Sequence, residues 1–387
     1  MDSHCNFNKQ FNQLQVIVEG DSFYKKVILN RPDKLNSLSY GMISELSKHF
    51  RAIEMDPTVK IVILKGNGKA FCAGGDVVSV VGSMFSGHWS FGASFYKKQL
   101  QLDYLLATYK KPLLSFIDGM VMGGGAGLSL HGRFKIVTEN TVFASPEVAI
   151  GLFPDCGASY FLSRLPGYFG EFLGLTGARL DGAEMLNCGL ATHFVFSKDL
   201  ALLEKALETQ TSPDMTSINQ ILSNFAQKPI IKESSTFKRS EIINKCFSKD
   251  TVEEILLALE QEARIKSETW IIMAIKSIKS GSPISLKITL RSIREGRTQN
   301  LSECLIREYT ICCNIARATA STDLYEGRRA ILVDKDKKPK WEPSKLELVS
   351  FDMVQSCFSG IDEDDWKYLQ LPVRNHTMHN AFSSSNL

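Results

Sequence analysis

The sequence predicts an α/β protein: a largely parallel sheet covered by helices, with a mostly helical C-terminal region. Three observations carry this. Short β-branched runs alternate with segments of helical periodicity through the first half of the chain. Glycine-rich turns follow two of those runs, and after about residue 205 the strand pattern gives way to Leu, Ile, Ala, Glu and Lys at helical spacing.

Taken in order, the runs at 14–18, 26–29, 59–64 and 113–117 read as strands bounded by Gly, Asn, Asp or Pro. Between them, Ile43, Leu46, Phe50 and Ile53 recur three and four apart and form one apolar helix face. A second helix is predicted over 91–109, with Phe91, Phe95, Leu102, Leu106 and Tyr109 on one stripe. Gln99 falls on that stripe, and a polar residue aimed inward must cap a buried backbone group or face a site. The apolar run Leu128-Ser129-Leu130 reads as a helix start directly after a glycine block. Later, 200–209, 251–279 and 300–320 read as helices, separated by breakers such as Ser212-Pro213 and Gly281-Ser282-Pro283. The domain reading is an α/β core over 14–205, a helical region over 206–345 packed on it, and a tail over 346–387. The last dozen residues, from His376, are polar and expected to be disordered.

With 387 residues, 44% hydrophobic and 22% charged, the chain can bury a substantial core. A net charge of +3, with no basic stripe interleaved with aromatics, argues against a nucleic-acid partner. The densest basic stretch, Lys335 to Lys340, reads as a solvated turn. Nine cysteines without a C-x-x-C pair argue against a disulfide framework or a zinc site, and Cys72 and Cys156 read as packing residues. No apolar run approaches bilayer length, so no membrane partner is expected. The N-terminus has neither a signal-peptide core nor the arginines of a mitochondrial presequence. Ser385-Asn386-Leu387 differs from the peroxisomal Ser-Lys-Leu address at one position; a peroxisomal location is therefore one expectation, and a cytoplasmic one the other.

Two glycine-rich loops carry the chemistry. Gly66 to Asp76, containing Ala73-Gly74-Gly75-Asp76, leaves the strand Lys60–Leu64. Met122-Gly123-Gly124-Gly125-Ala126-Gly127 follows the strand at 113–117. Bare backbone N–H groups from two such loops can meet at one point, which is the geometry of an oxyanion hole; each donor of that kind is worth about 10²–10³ in rate. Glu147 and Asp155 follow the second loop and supply carboxylates to act on whatever is held there. Other templates are absent: no G-x-S-x-G, no H-E-x-x-H, no G-x-x-x-x-G-K-[ST]. His131 and His193 read as satisfied core histidines.

Taken together, these loops resemble the crotonase, or enoyl-CoA hydratase, superfamily. The match runs from Leu29-Asn30-Arg31-Pro32-Asp33-Lys34-Leu35-Asn36-Ser37-Leu38 through Phe71–Asp76 to Met122–Gly125. The resemblance implies a crotonase-like spiral of ββα units, with Gly75 and Gly124 N–H groups polarising a thioester carbonyl. Lys34, Leu35 and Asn36 would then lie near the coenzyme A chain, and Ala73 and Asp76 near its adenine end. Within the superfamily, the chain is similar to the 3-hydroxyisobutyryl-CoA hydrolase family. The similarity extends through Ser145 to Asp155, Tyr160–Leu165, Leu175–Leu180, Ser282–Lys287 and Glu326 to Trp341.

Hydratases of the superfamily carry a glutamate where this chain has Gly127, whereas the hydrolases add an aspartate eight residues after the glutamate, here Asp155. The resemblance therefore implies hydrolysis of a 3-hydroxyacyl-CoA thioester in valine breakdown. Glu147 would act as general base or as nucleophile through a transient anhydride. Asp155 would bind the substrate hydroxyl or hold Glu147 and the water. No metal and no separate cofactor are expected, since coenzyme A is part of the substrate. The family usually shows a substrate-binding glutamate where this chain has Gln99, which keeps an acceptor oxygen and loses the charge. That departure leaves a catalytically weak acyl-CoA-binding protein as another reading, and a third, against which Gly127 argues, is a hydratase or isomerase. Crotonase relatives often form trimers, so a homo-oligomer is expected unless the C-terminal helices cover those surfaces.

Overall fold

The structure, a computed structural model, describes residues 14–85, 87–210, 214–363 and 366–374. The strands are β1 (Val16–Glu19), β2 (Tyr24–Leu29), β3 (Ile61–Gly66), β4 (Ala70–Cys72), β5 (Leu113–Ile117), β6 (Met120–Met122), β7 (Phe134–Val137), β8 (Val142–Ala144), β9 (Leu180–Asp181) and β10 (His193–Phe194). The helices of the first half are α1 (Tyr40–Met55), α2 (Val77–Phe85), α3 (Ser90–Ala107), α4 (Gly124–Leu130), α5 (Ala158–Leu162), α6 (Phe169–Thr176) and α7 (Gly182–Asn187). Then come α8 (Leu200–Glu208), α9 (Met215–Phe225), α10 (Ser240–Phe247), α11 (Val252–Ile265), α12 (Thr269–Ser280), α13 (Pro283–Gly296), α14 (Leu301–Ala316), α15 (Asp323–Gly327) and α16 (Phe351–Phe358).

One sheet runs β1-β2-β3-β5-β7-β10 and a second runs β4-β6-β8-β9. Apart from the antiparallel pairs β1–β2 and β8–β9, every pairing is parallel. Val62 of β3 stands beside Leu113 of β5, and Leu114 of β5 beside Phe134 of β7. Parallel neighbours need a crossover between them. Here each turn of the chain gives one strand to the large sheet and the next to the small one, so β3-β4, β5-β6 and β7-β8 wind as a spiral. β5 is buried along its whole length, as expected of a central parallel strand.

Local sequence explains the helix ends. Ser39 caps α1 by accepting from the Met42 N–H, and Thr251–Glu254 and Asn300–Glu303 form capping boxes on α11 and α14. α13 opens on a capping Ser282 with Pro283 in its first turn. α1 buries Ile43, Leu46, Phe50 and Ile53, the predicted face, together with Met42.

Several details differ from the sequence reading. Phe91 is 55% exposed, because α3 buries a wide arc that includes Phe95, Tyr96, Gln99 and Asp103, and Phe91 lies outside it. The predicted 251–279 helix is two: Lys266 and Glu268 are extended, and the chain turns between α11 and α12. Residues 351–358, assigned to the tail, form α16, which packs on α13 and α14 and buries Val354 and Cys357. The predicted disordered segment from His376 and the Ser385-Asn386-Leu387 tripeptide within it lie outside the described residues, which end at Arg374. The larger of two apolar clusters among the described residues includes residues of both the strand-rich and the helical regions, from Val27 and Leu64 to Leu259, Ile293 and Leu305.

α14 fixes the segment that follows Asp155. Its Glu308 is fully buried and accepts from the Gly157 N–H (2.6 Å), the Ser159 N–H (3.0 Å) and the Ser159 hydroxyl (2.6 Å). Burial pushes its carboxyl up to about 7 while those donors pull it down. Glu308→Ala strands three buried donors and is expected to cost about 1–3 kcal/mol for each group left unsatisfied. The check is the midpoint of chemical unfolding, which falls in this variant.

Candidate active site

Two loops at the ends of short strands of the small sheet build the backbone of the site. After β4, Gly74 takes φ +100°, and after β6, Gly123 takes φ +46°. Both lie in the left-handed region that a side chain disfavours, and each orients the peptide whose N–H belongs to the next residue. Leu38 pins the first loop by donating to Gly74 O at 2.8 Å and accepting from the Asp76 N–H at 2.9 Å, so the Gly75 N–H between them faces the other way. A Cβ placed on Gly124 would stand 3.5 Å from the Gly75 nitrogen, and one on Gly74 would stand 3.7 Å from the Gly124 nitrogen. The two amides thus border one small space, and among the described residues neither donates to a protein acceptor. α4 begins at Gly124 rather than at Leu128: the Gly127 N–H already closes a first turn onto Gly123 O at 3.1 Å, and the glycines themselves are helical. A Cβ on Gly125 would meet Cys72 O at 2.3 Å, so only glycine lets this helix approach β4.

Glu147 opens a short 3₁₀ turn, Glu147–Ile150, just beyond β8. Its carboxyl is 6% exposed, and Oε1 lies 3.1 Å from where a Gly123 Cβ would be. Oε2 is buried without a hydrogen-bond partner among the described residues. Burial, and then the negative neighbour Asp155, push this carboxyl up to about 8. Asp155, 5% exposed, is pushed up to about 6 by burial, while the Cys156 and Cys312 thiols oppose the shift; Cys312 Sγ donates to its Oδ2 at 3.7 Å. The turn carrying Glu147 is braced from the C-terminal region. A Cβ on Gly327 of α15 would lie 2.3 Å from Ile150 O, and one on Gly151 would lie 2.1 Å from Asp323 O. The Glu326-Gly327-Arg328-Arg329 segment therefore packs its backbone directly on the turn that holds the acid.

The cleft between these groups has a volume of about 590 Å³ including its mouth, and Gly75, Gly124, Glu147, Asp155, Gln99 and Tyr96 all line it. Gln99 is 1% exposed, and its Nε2 donates to Asp103 Oδ1 at 2.8 Å. Asp103 was not singled out in the sequence. Its signal is the spacing of four from Gln99, which puts both on one face of α3. Gly127 abuts the same carboxyl: a Cβ there would stand 2.7 Å from Cys156 Cβ and 2.9 Å from Asp103 Oδ2. There is no room for a glutamate at this position.

In the loop at 31–38, Lys34 and Leu35 are exposed, whereas Asn36 is buried. Its Oδ1 accepts from the Arg31 N–H at 2.8 Å and its Nδ2 donates to Asn67 O (2.9 Å) and Ala70 O (2.8 Å). The Asn36 side chain is thus a brace for the loop. Ala73 lines the cleft and donates to Leu35 O at 3.0 Å, while Asp76 pairs with Arg31 at 3.1 Å. The loop at 31–38 is in this way tied to the loop bearing Gly75. His131 lies elsewhere: its Nε2 meets Cys156 O at 2.9 Å, and burial lowers it to about 4, which keeps it neutral. Among the described residues no group of three His, Cys, Asp or Glu is arranged to hold a metal ion, and no helix is long and apolar enough to cross a membrane.

Residues 24–358 match the family model described as enoyl-CoA hydratase/isomerase. The chain is 55% identical over 365 residues to 3-hydroxyisobutyryl-CoA hydrolase 1 of Arabidopsis thaliana, covering 94% of this chain and 96% of that protein. It is 40% identical over 380 residues to "3-hydroxyisobutyryl-CoA hydrolase, mitochondrial" of Gallus gallus, covering 93% and 97%. That name lends no support to a peroxisomal address. Among solved structures, a carnitinyl-CoA dehydratase from Mycobacterium thermoresistibile superposes with a TM-score of 0.83 at 33% identity, covering 92% of this chain and 99% of that one. The chain belongs to the 3-hydroxyisobutyryl-CoA hydrolase family of the crotonase superfamily.

The crowding at Gly127 has a measurable consequence. Gly127→Ala is expected to destabilise the protein by about 1–3 kcal/mol, the usual cost of overpacking, seen as a lower unfolding midpoint. Gly127→Glu is expected to yield no hydration of crotonyl-CoA, followed by loss of the enoyl absorbance.

Proposed function

We propose that the protein hydrolyses a short-chain 3-hydroxyacyl-CoA thioester, 3-hydroxyisobutyryl-CoA above all, to the free hydroxy acid and coenzyme A, a step of valine breakdown. The observation that carries the reading is the pair of amides Gly75 and Gly124, unpartnered among the described residues and facing a cleft that also holds the buried Glu147 and Asp155. The names of the relatives supply the substrate.

In this reading the thioester carbonyl oxygen accepts from both amides. Water adds to the carbonyl carbon, and the two N–H groups hold the resulting oxyanion. Glu147 takes the proton of the attacking water, or first forms an anhydride that water then opens. The C–S bond breaks, and the sulfur leaves with a proton as the coenzyme A thiol. Asp155 and Gln99 contact the acyl hydroxyl. Lys34 and Leu35, with the backbone of Asn36, border the coenzyme A chain, and Ala73 and Asp76 lie toward its adenine end. Gly127 speaks against hydration, which would call on a second carboxylate at that position.

The assay is thiol release from a panel of acyl-CoA esters, and the reading expects turnover of 3-hydroxyisobutyryl-CoA without hydration of crotonyl-CoA. The same assay gives the pH dependence. Glu147 must be ionised to accept a proton, so kcat/KM rises with pH and levels off above about 8. Asp155 raises that value by its charge, so in Asp155→Asn the rising limb moves to lower pH. A limb unmoved, or moved upward, in that variant speaks against the pairing.

A further inference from the structure

We infer that Asp103 is a positioning residue that fixes the Gln99 amide with its carbonyl oxygen turned to the cleft, so that the site selects acyl chains bearing a hydroxyl that can donate. The inference rests on the reading of this cleft as a 3-hydroxyacyl thioester site.

A glutamine amide has two ends, and which one faces a ligand decides whether it offers an acceptor or a donor. Here the choice is made one helical turn away. Asp103 Oδ1 accepts from Gln99 Nε2 at 2.8 Å, which occupies the donor end. Gln99 Oε1 is left buried and without a partner among the described residues. The amide carbon stands 3.6 Å from the Cβ position of Gly124, beside the two oxyanion amides, so the free oxygen belongs to the catalytic space. Asp103 itself is fully buried and cannot be reached from outside.

The residue across from Asp103 makes room for it. Its second oxygen, Oδ2, occupies the volume that a side chain on Gly127 would need, 2.9 Å from the position of that Cβ. Burial raises the Asp103 carboxyl well above the usual range, toward the neutral acid, which still accepts at Oδ1. Gly127 thus does more than omit a second catalytic carboxylate, because its absent side chain houses the group that aims Gln99. An ester without the hydroxyl leaves Gln99 Oε1 unpaired on binding, and a buried polar group left unpaired is the effective basis for rejecting such an analogue.

The test compares kcat/KM for 3-hydroxyisobutyryl-CoA and for isobutyryl-CoA. In Asp103→Leu, the first is expected to fall roughly ten-fold more than the second, about the effect of one hydrogen bond. In a Gln99→Met background, the same Asp103→Leu change is expected to produce no further shift in preference, because Asp103 acts through Gln99. Asp103→Asn, whose carbonyl still accepts from Gln99, is expected to keep the wild-type preference, and it carries the test should the leucine variant not fold. Equal loss on both esters, a preference shift that persists without Gln99, or loss of preference in Asp103→Asn overturns the inference. Failure of the wild-type protein to release thiol from 3-hydroxyisobutyryl-CoA instead overturns the underlying functional reading.

Discussion

Two peptide N–H groups can point into one small space only if nothing else occupies it, and this constraint organises the molecule. The Gly75 and Gly124 amides come from loops far apart in sequence, after strands β4 and β6 of the small sheet. Parallel pairing of β4 with β6 brings the two loops to the same sheet end. Positive φ at Gly74 and Gly123 then turns both peptides inward. A side chain at Gly74 or Gly123 would strain the backbone, and one at Gly124 would stand between the donors. The spiral of ββα units is thus the means of bringing two otherwise ordinary turns to one point.

The carboxyl groups around that point are held by burial, and burial sets their chemistry. Glu147 and Asp155 are both almost fully enclosed, and both are shifted toward the neutral acid. Keeping them there requires rigid support, and part of it comes from the second half of the chain. α15 packs backbone to backbone on the turn that bears Glu147. α14 contributes Cys312 against Asp155, and Glu308 to the amides that follow it. The helical region is therefore part of the site, although it supplies neither the Gly75 and Gly124 amides nor the Glu147–Asp155 pair.

Much of this was legible in the sequence because its signals are local. β-Branched runs marked β2, β3 and β5, period marked α1, and consecutive glycines marked both donor loops. The glutamate and aspartate eight residues apart were readable from motif alone. What escaped is non-local. The pairing of Asp103 with Gln99 follows from helix spacing, but its importance depends on Gly127 lying opposite, which only folding reveals. Asn36 sits within a loop expected near coenzyme A, yet its side chain is spent on Arg31, Asn67 and Ala70. The helix start at Gly124 was missed because isolated propensity disfavours glycine, while the close approach to Cys72 requires it.

The central claim is that Glu147 delivers water to a thioester held by the Gly75 and Gly124 amides. The most direct measurement is single-turnover thiol release from 3-hydroxyisobutyryl-CoA by Glu147→Gln, with substrate binding followed separately. Glutamine keeps the size and removes the proton acceptor and the nucleophile together. The account predicts that the rate falls about 10²–10⁴-fold while the ester still binds. A rate near that of the wild-type protein would contradict it.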